Sequence, residues 1–250
     1  MCHITVIIPA LNEERYLPNL LQSLAEQSQS DFGVVVVDGR SHDNTVAVAQ
    51  SFGERLQDLQ VMVSPVAGVS AQRNLGASAA RSEWVVFVDA DSRVSPYFVE
   101  RLEHFTAERQ PEFFTTWSLA DGEAPRDAIL SLIVNLYIEV SAVAHRAIAV
   151  GSMFAVKRDL FERLGGFDET VGFAEDFDLT QRLIAHGAPL HILRETLYVY
   201  SLRRARKDGL GRFLWTYTRV SLQALVTGHS PRRVRTYVLG GQYFENVPTH

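Results

Sequence analysis

The chain holds a single cysteine, Cys2, so it can form neither an internal disulfide nor a thiolate metal cluster. That scarcity suits a reducing compartment. No apolar run approaches the ~20 residues that a membrane span requires. The first strand pattern begins almost at the N-terminus, which leaves no stretch for a cleavable leader and predicts a cytoplasmic protein. Internal repeats, low-complexity tracts and a linker between independent domains are all missing, so the 250 residues read as one large domain with an extension. The scattered His145, His186 and His191 read as packed or solvated side chains rather than metal ligands.

What is present is unevenly charged. Residues 1–202 carry 15 basic and 27 acidic side chains, whereas residues 203–235 carry nine basic and one acidic. A basic block on an acidic body suggests an anionic partner such as a phosphate group or a membrane surface, or else a solvated helix face. Eight of the nine are arginine, the residue that grips phosphate in a bidentate fork. Nucleic acid is excluded as a partner, because the body is acidic and the segment lacks regularly interleaved aromatics.

Hydrophobic periodicity predicts strands at 3–9, 32–37, 59–64 and 84–88. Helices are expected from Asn12-Glu13-Glu14 through Leu24, from Asp43 to Phe52 and from Ser70 to Ala80. This regular alternation means an α/β fold with a mainly parallel, doubly wound sheet. Further on, strands are expected at 113–119, 150–156, 190–193 and 196–200. Helices are expected at 126–146, 159–164, from about 175 to 186, and over 210–226 and after Pro231. The 126–146 helix places Ile129, Leu132, Ile133, Leu136, Val140 and Val143 on one face, which predicts a buried or interface helix.

The chemistry concentrates where strands end. Val85–Val88 is an apolar run of a kind buried on both faces, and it stops at Asp89-Ala90-Asp91. Asp-x-Asp supplies hard oxygen ligands for Mg²⁺ or Mn²⁺, the usual bridge to a diphosphate. The same residues with Ser92 would also serve as a helix cap. Asn12-Glu13 follows the first strand and Asp38-Gly39 the second. In a parallel sheet these ends share one edge and converge on one crevice.

Five segments in order, IIPALNEE (7–14), VVVDGRSHDNT (35–45), AQRNLGASAARSEWVVFVDADS (71–92), GSMFAVKRDLFERLGGFDE (151–169) and AEDFDLTQRL (174–183), resemble the family 2 inverting glycosyltransferases of the GT-A (nucleotide-diphospho-sugar transferase) fold. The resemblance implies a domain over 1–202, with a nucleotide-binding half to residue 92 and an acceptor and catalytic half after it. A basic helical extension, 203–250, would pack on the same domain.

By the same resemblance Pro9, Ala10, Leu11 and Glu13 line the nucleotide pocket, and Asp38 accepts a hydrogen bond from the base, which favours UDP over GDP. Arg73 contacts base or phosphate, Asp89 and Ala90 lie by the ribose, and Asp91 with Asp89 holds the divalent cation. Gly151, Ser152 and Glu175 shape the donor-sugar and acceptor side, Asp176 is the catalytic base, and Arg203 and Arg204 bind phosphate. A helix N-terminus lowers a carboxyl pKa and burial raises it, so the basicity of Asp176 is a balance of two opposed effects. Asp178 reads as a surface or capping residue.

The implied reaction is metal-dependent transfer of a sugar to an acceptor hydroxyl on a glycan, a lipid-phosphate or a small molecule. Gln-x-x-Arg-Trp and membrane helices, which mark processive synthases, are missing, so the expected enzyme is non-processive. The charged extension together with the 126–146 helix predicts peripheral contact with an anionic membrane.

Two other readings compete. In a haloacid dehalogenase-like phosphatase Asp89 would be a nucleophile and Asp91 an acid, but the only lysine between the motifs available to anchor phosphate is Lys157. A non-catalytic nucleotide-binding domain would have no need of the intact acidic set.

Overall fold

The computed structural model describes residues 3–122, 124–143, 152–171 and 174–209, with Gly211 and Trp215. His145, Gly151, the helix expected over 210–226 apart from Gly211 and Trp215, and the helix expected after Pro231 lie outside the described residues.

The first half is β1 (Ile4–Ala10), α1 (Leu17–Ala25), β2 (Gly33–Asp38), α2 (Thr45–Gln50), β3 (Leu59–Val63), α3 (Val69–Ala79) and β4 (Trp84–Val88). Then come β5 (Arg93–Val94), α4 (Phe98–Arg109), β6 (Phe113–Ala120), α5 (Pro125–Val143), β7 (Met153–Lys157) and α6 (Arg158–Arg163). The last described elements are α7 (Glu175–Ala185), β8 (Leu190–Tyr200) and α8 (Arg203–Asp208).

One mixed sheet runs in the order β3-β2-β1-β4-β7-β6-β8-β5. Its first four strands are parallel, as the alternation of elements requires. Beyond β4 the direction alternates: β7 runs antiparallel to β4 and β6, β6 runs parallel to β8, and β5 runs antiparallel to β8. The two strands expected at 190–193 and 196–200 are a single strand, β8, whose register against β6 shifts around Thr116 and Trp117. Helix α1 starts at Leu17 rather than at Asn12, with Pro18 in its first turn. The N–H groups of Asn12, Glu13 and Glu14 are already bonded to Ser41, Thr45 and Asp43 side chains, so they do not enter a helix.

The central strands β1, β2 and β4 are buried along their whole length because they are packed on both faces. On one face Leu17, Leu20, Leu21 and Leu24 of α1 join Phe98, Val99 and Leu102 of α4 over Ile4, Val6, Val34, Trp84 and Val86. On the other, Ala77, Leu160, Phe161, Phe167, Leu179 and Leu183 cover Ile7, Val85, Phe87 and Phe154. Each buried Leu or Phe contributes about 1.5–3 kcal/mol. Helix α3 approaches β1 closely enough that a Cβ on Gly76 would sit 2.4 Å from Ile7 Cγ2.

Of the two alternatives expected for helix α5, buried or interface, burial of the apolar face does not hold. Ile129, Leu132, Ile133, Leu136 and Val140 are exposed, while Leu130, Ser131, Asn135, Ile138 and Ser141 point inward. The reason lies in β6, which among the described residues pairs with β7 at Phe113 and Phe114. The edge beyond needs polar partners, since buried backbone groups must be hydrogen-bonded. Asn135 accepts the Ser118 N–H and donates to the Ser118 carbonyl, both at 3.0 Å, and Ser131 Oγ accepts the Ala120 N–H at 2.9 Å. A smaller cluster of Ala120, Leu130, Leu202 and Ala205 packs α8 onto α5 and β6.

Candidate active site

The C-terminal ends of β1, β2 and β4 open on one edge of the sheet. Pro9 and Ala10 end β1 beside Val37 and Asp38, and all four are buried. The loops that follow are tied together. Asn12 N–H donates to Ser41 Oγ (2.8 Å), Asn12 Oδ1 accepts the His42 N–H (2.8 Å), and Glu13 N–H donates to Thr45 Oγ1 (2.8 Å). Asp43 accepts N–H groups from Glu14 and Thr45, so it links the two loops as well as starting α2. Leu11 is half-buried at the rim and Ala90 is buried.

Asp38 is the last residue of β2 and only 2% exposed. Its Oδ2 accepts the Arg40 and Ser41 N–H groups at 2.9 and 3.0 Å, and Arg40 adopts φ 71° to close that turn. Asp38 Oδ1 is buried without a hydrogen-bond partner. A buried acceptor left unpaired costs about 1–3 kcal/mol, so a donor is wanted there.

Two arginines neutralise the acidic edge. Arg73, buried in the first turns of α3, donates through Nη1 to Glu175 (2.6 Å) and through Nη2 to Asp89 (2.9 Å). Its guanidinium stacks over Phe167 at 5.3 Å. Arg203, the first residue of α8, makes a fork to both carboxylate oxygens of Glu13 at 2.5 and 2.7 Å. Its Nε lies 2.7 Å from Asp91 Oδ2, and Tyr16 packs under it at 4.6 Å. Glu13 and Arg203, 190 positions apart in the sequence, close with Asp91 into one ion-pair network.

Burial pushes the Asp91 carboxyl up to about 6 against the pull of Arg203, and Glu13 adds repulsion. Asp89 is likewise pushed up to about 6 by burial, with Arg73 opposing and Asp91 and Glu175 reinforcing. Protein surrounds Asp89, yet 38% of its side chain remains open to the crevice, where a ligand can reach it. Glu13 is raised by burial in spite of Arg203. Carboxylates crowded in this way favour a cation or a proton.

The second half of the chain meets these groups at Asp89, whose N–H donates to the Ser152 carbonyl at 3.2 Å. Ser152 Oγ is 3.0 Å from the Tyr198 hydroxyl, whose pKa burial raises to about 12. Glu175 and Asp176 begin α7 after Ala174, which holds φ 57°. Glu175 turns to Arg73, while Asp176 Oδ1 accepts the Phe177 N–H at 2.8 Å. Asp178 pairs with Arg182, which also donates to the carbonyls of Leu164 and Gly166.

Direct contacts therefore gather these residues in two groups, Arg73 with Asp89 and Glu175, and Arg203 with Glu13 and Asp91. Arg204 lies within electrostatic range of Asp91. The sequence reading missed three groups that hold the site. Gln72 Nε2 donates to the carbonyls of Ala10 and Val37 at 2.8 and 2.7 Å, joining β1 to β2. Asn74 exchanges hydrogen bonds with the Phe167 N–H and carbonyl, both at 2.9 Å. Tyr16 supports Arg203. Gln72 and Asn74 flank Arg73 in the Gln-Arg-Asn run, and that was the available signal.

A model of the family described as glycosyl transferase family 2 matches residues 5–165. The uncharacterized glycosyltransferase EpsJ of Bacillus subtilis is 26% identical over 207 residues, covering 79% of this chain and 60% of EpsJ. The poly(ribitol-phosphate) beta-N-acetylglucosaminyltransferase TarS of Staphylococcus aureus is 26% identical over 209 residues, covering 82% of this chain and 36% of TarS. The chain thus spans less than two thirds of the length of these relatives.

Among solved structures, a crystal structure of S. aureus TarS 1–349 in complex with UDP superposes with a TM-score of 0.63 at 22% identity, covering 79% of this chain and 60% of that one. The mannosyltransferase PcManGT of Pyrobaculum calidifontis, in complex with GDP-Man and Mn²⁺, superposes with a TM-score of 0.68 at 24% identity, covering 92% and 66%. The fold is GT-A. With well over half its length matched by the family model, the chain belongs to glycosyl transferase family 2.

Proposed function

We propose that this chain transfers a sugar from a nucleotide-diphospho-sugar to an acceptor hydroxyl by a single, inverting displacement assisted by Mg²⁺ or Mn²⁺. The observation that carries the reading is the crevice at the ends of β1, β2 and β4. There the unpartnered Asp38 Oδ1 lies on the same sheet edge as Glu13 and Asp91, the carboxylates that hold Arg203. Asp38 Oδ1 accepts an N–H from the base, and a uracil N–H suits it. Ala10, Leu11 and Glu13 line the pocket behind the nucleoside. TarS bound to UDP and PcManGT bound to GDP-Man support a nucleotide-sugar donor.

The residues fit a divalent cation. Arg203 already holds a positive charge between Glu13 and Asp91, each within hydrogen-bond distance. Among the described residues no cluster of three or more His, Cys, Asp or Glu side chains could hold a metal by itself. One or two carboxylates, Asp91 with Asp89, plus diphosphate oxygens make the set expected for a hard cation. A bound divalent cation would offset the charge that builds on the diphosphate leaving group. Arg203 would then release Glu13 and Asp91 and turn with Arg204 to the diphosphate.

Arg73 fixes Asp89 and Glu175 in place. Asp176, the second residue of α7 and about 100° around the helix from Glu175, takes the acceptor proton in this reading. The acceptor is a glycan, a lipid-phosphate or a small molecule, a choice that the fold does not make. We place the donor half at 1–92 and the acceptor half at 93–202.

A phosphatase reading has no support in this arrangement. Lys157 pairs with Trp84 at the far end of β4, roughly 15 Å from Asp89 at the rise of a strand. Thermal shift with UDP, GDP and nucleotide sugars, each with Mn²⁺ or chelator, tests the proposal. A metal-dependent rise for one base that disappears in Asp91→Ala is expected. No rise with any nucleotide would refute the donor site.

A further inference from the structure

Strand β6 ends at Ala120, and the next residue, Asp121, extends the ladder by donating its N–H to the Tyr200 carbonyl at 2.9 Å. Its carboxylate faces the turn that carries the chain from β8 into α8. Oδ1 accepts the Leu202 N–H at 2.8 Å, and Oδ2 accepts the Ser201 hydroxyl at 3.2 Å. Ser201 Oγ in turn accepts the Arg203 N–H at 3.2 Å. Arg206 closes a fork on the same carboxylate at 2.7 and 3.0 Å. Asp121 thus takes four donors from α8 and the turn before it.

A helix of six residues is too short to hold its shape alone, so its anchors decide where it sits. The contact of Leu202 and Ala205 with Ala120 and Leu130 is apolar and non-directional. It presses α8 against α5 and β6 without fixing the turn of the helix about its own axis. The fork at Arg206 fixes that turn. Arg203 and Arg206 are three positions apart and lie on one side of the helix. With Arg206 held at Asp121, Arg203 is aimed at Glu13 and Asp91, which it reaches at 2.5 to 2.7 Å.

We propose that Asp121 is a positioning residue for the donor site. Through α8 it holds Arg203 between Glu13 and Asp91, where the guanidinium bars a divalent cation, and it keeps the same arginine at hand for a diphosphate. The two effects have opposite signs. Loosening Asp121 frees the carboxylates for a cation and takes an arginine from the diphosphate. What is said of cation and nucleotide rests on the donor reading above; the link from Asp121 to Arg203 does not.

Calorimetry on the full chain tests it, with Mn²⁺ alone, with UDP or GDP in Mn²⁺, and with UMP or GMP as ligands that lack the diphosphate. In Asp121→Ala, Mn²⁺ should bind about threefold to tenfold more tightly than in wild type. The diphosphate should bind about tenfold more weakly, and the monophosphate within about twofold of wild type. Asp121→Asn keeps an oxygen for the Leu202 N–H and loses the charge that holds Arg206, so it should move both affinities the same way by less. Mn²⁺ affinity in Asp121→Ala/Arg203→Ala should equal that in Arg203→Ala, because Asp121 acts through Arg203. Melting shifts of the two single variants in chelator should sum to more than the shift of the double variant. Weakening of all three ligands together, no change in any, or additive melting shifts would each overturn the proposal. A wild type that binds neither UDP nor GDP refutes the donor reading, and the Mn²⁺ and melting comparisons still decide whether Asp121 acts through Arg203.

Discussion

Replacing Arg203 by alanine removes the fork to Glu13 and the contact to Asp91 in one step. Only 4% of the Glu13 side chain and 18% of the Asp91 side chain is exposed, so water replaces little of what is lost. Leaving buried carboxylates without their partner costs about 3–5 kcal/mol. We take the lower end, about 3 kcal/mol, because Asp91 is partly open and can take a proton instead. Helix α8 keeps its second anchor, the Arg206–Asp121 pair, so the loss should stay local.

For a chain of this size the melting temperature falls by about 2–4 °C per kcal/mol, or roughly 6–12 °C in chelator. Mn²⁺ at a hundred times its dissociation constant would restore about 2.7 kcal/mol. The variant should also bind Mn²⁺ roughly tenfold or more tightly than wild type, because the wild-type site must first release its guanidinium. Differential scanning fluorimetry with a Mn²⁺ titration measures both quantities. If Mn²⁺ fails to rescue the variant and binds it no better than wild type, Arg203 is a structural clasp and no cation seat exists there.

Three more outcomes follow. Asp38→Asn should keep the turn at Arg40 and Ser41 but present an amide donor where Oδ1 was, weakening nucleotide binding by about 10–100-fold in calorimetry. Asp176→Asn should lower kcat by about 10²–10⁴ while nucleotide affinity holds, as expected for a lost general base. Glu13, Asp89 and Asp91 are raised above their ordinary range, so the metal-free native state holds protons that the unfolded chain has released. Stability from Asp89 and Asp91 is present below that range and is lost as pH rises through about 6, and Glu13 acts in the same direction. Urea midpoints at pH 5 and pH 7 in chelator should therefore differ more in wild type than in Asp91→Asn. The comparison removes the opposed contribution of His191, whose burial lowers its pKa.

The parallel half of the fold was legible because β1, β2 and β4 are continuous apolar runs bounded by turn residues, and α3 carries its pattern to within a residue of its observed ends. The acids at the strand ends were legible for the same reason: topology places them, and the topology follows from alternation. Helix α5 was not. Periodicity says that a helix has an apolar face, but Ser131 and Asn135 face inward to accept the Ala120 and Ser118 N–H groups of β6. Nor does any local pattern announce that Arg203 reaches Glu13, since a long-range ion pair leaves no spacing to read. The orphaned Asp38 Oδ1 depends on which oxygen the Arg40 turn takes, a matter of backbone geometry alone.

Gln72, Arg73 and Asn74 occupy one turn of α3, and each holds a different part of the molecule: the β1 and β2 ends, the Asp89–Glu175 pair, and the loop at Phe167. One turn of helix is thus the hub from which three spokes align the pocket. The depth of the hub is set by Gly76, with no space for even a methyl group against Ile7. A small displacement of that one helix would mistune every spoke together, so the β1 and β2 ends, the Asp89–Glu175 pair and the loop at Phe167 share a single mechanical fate.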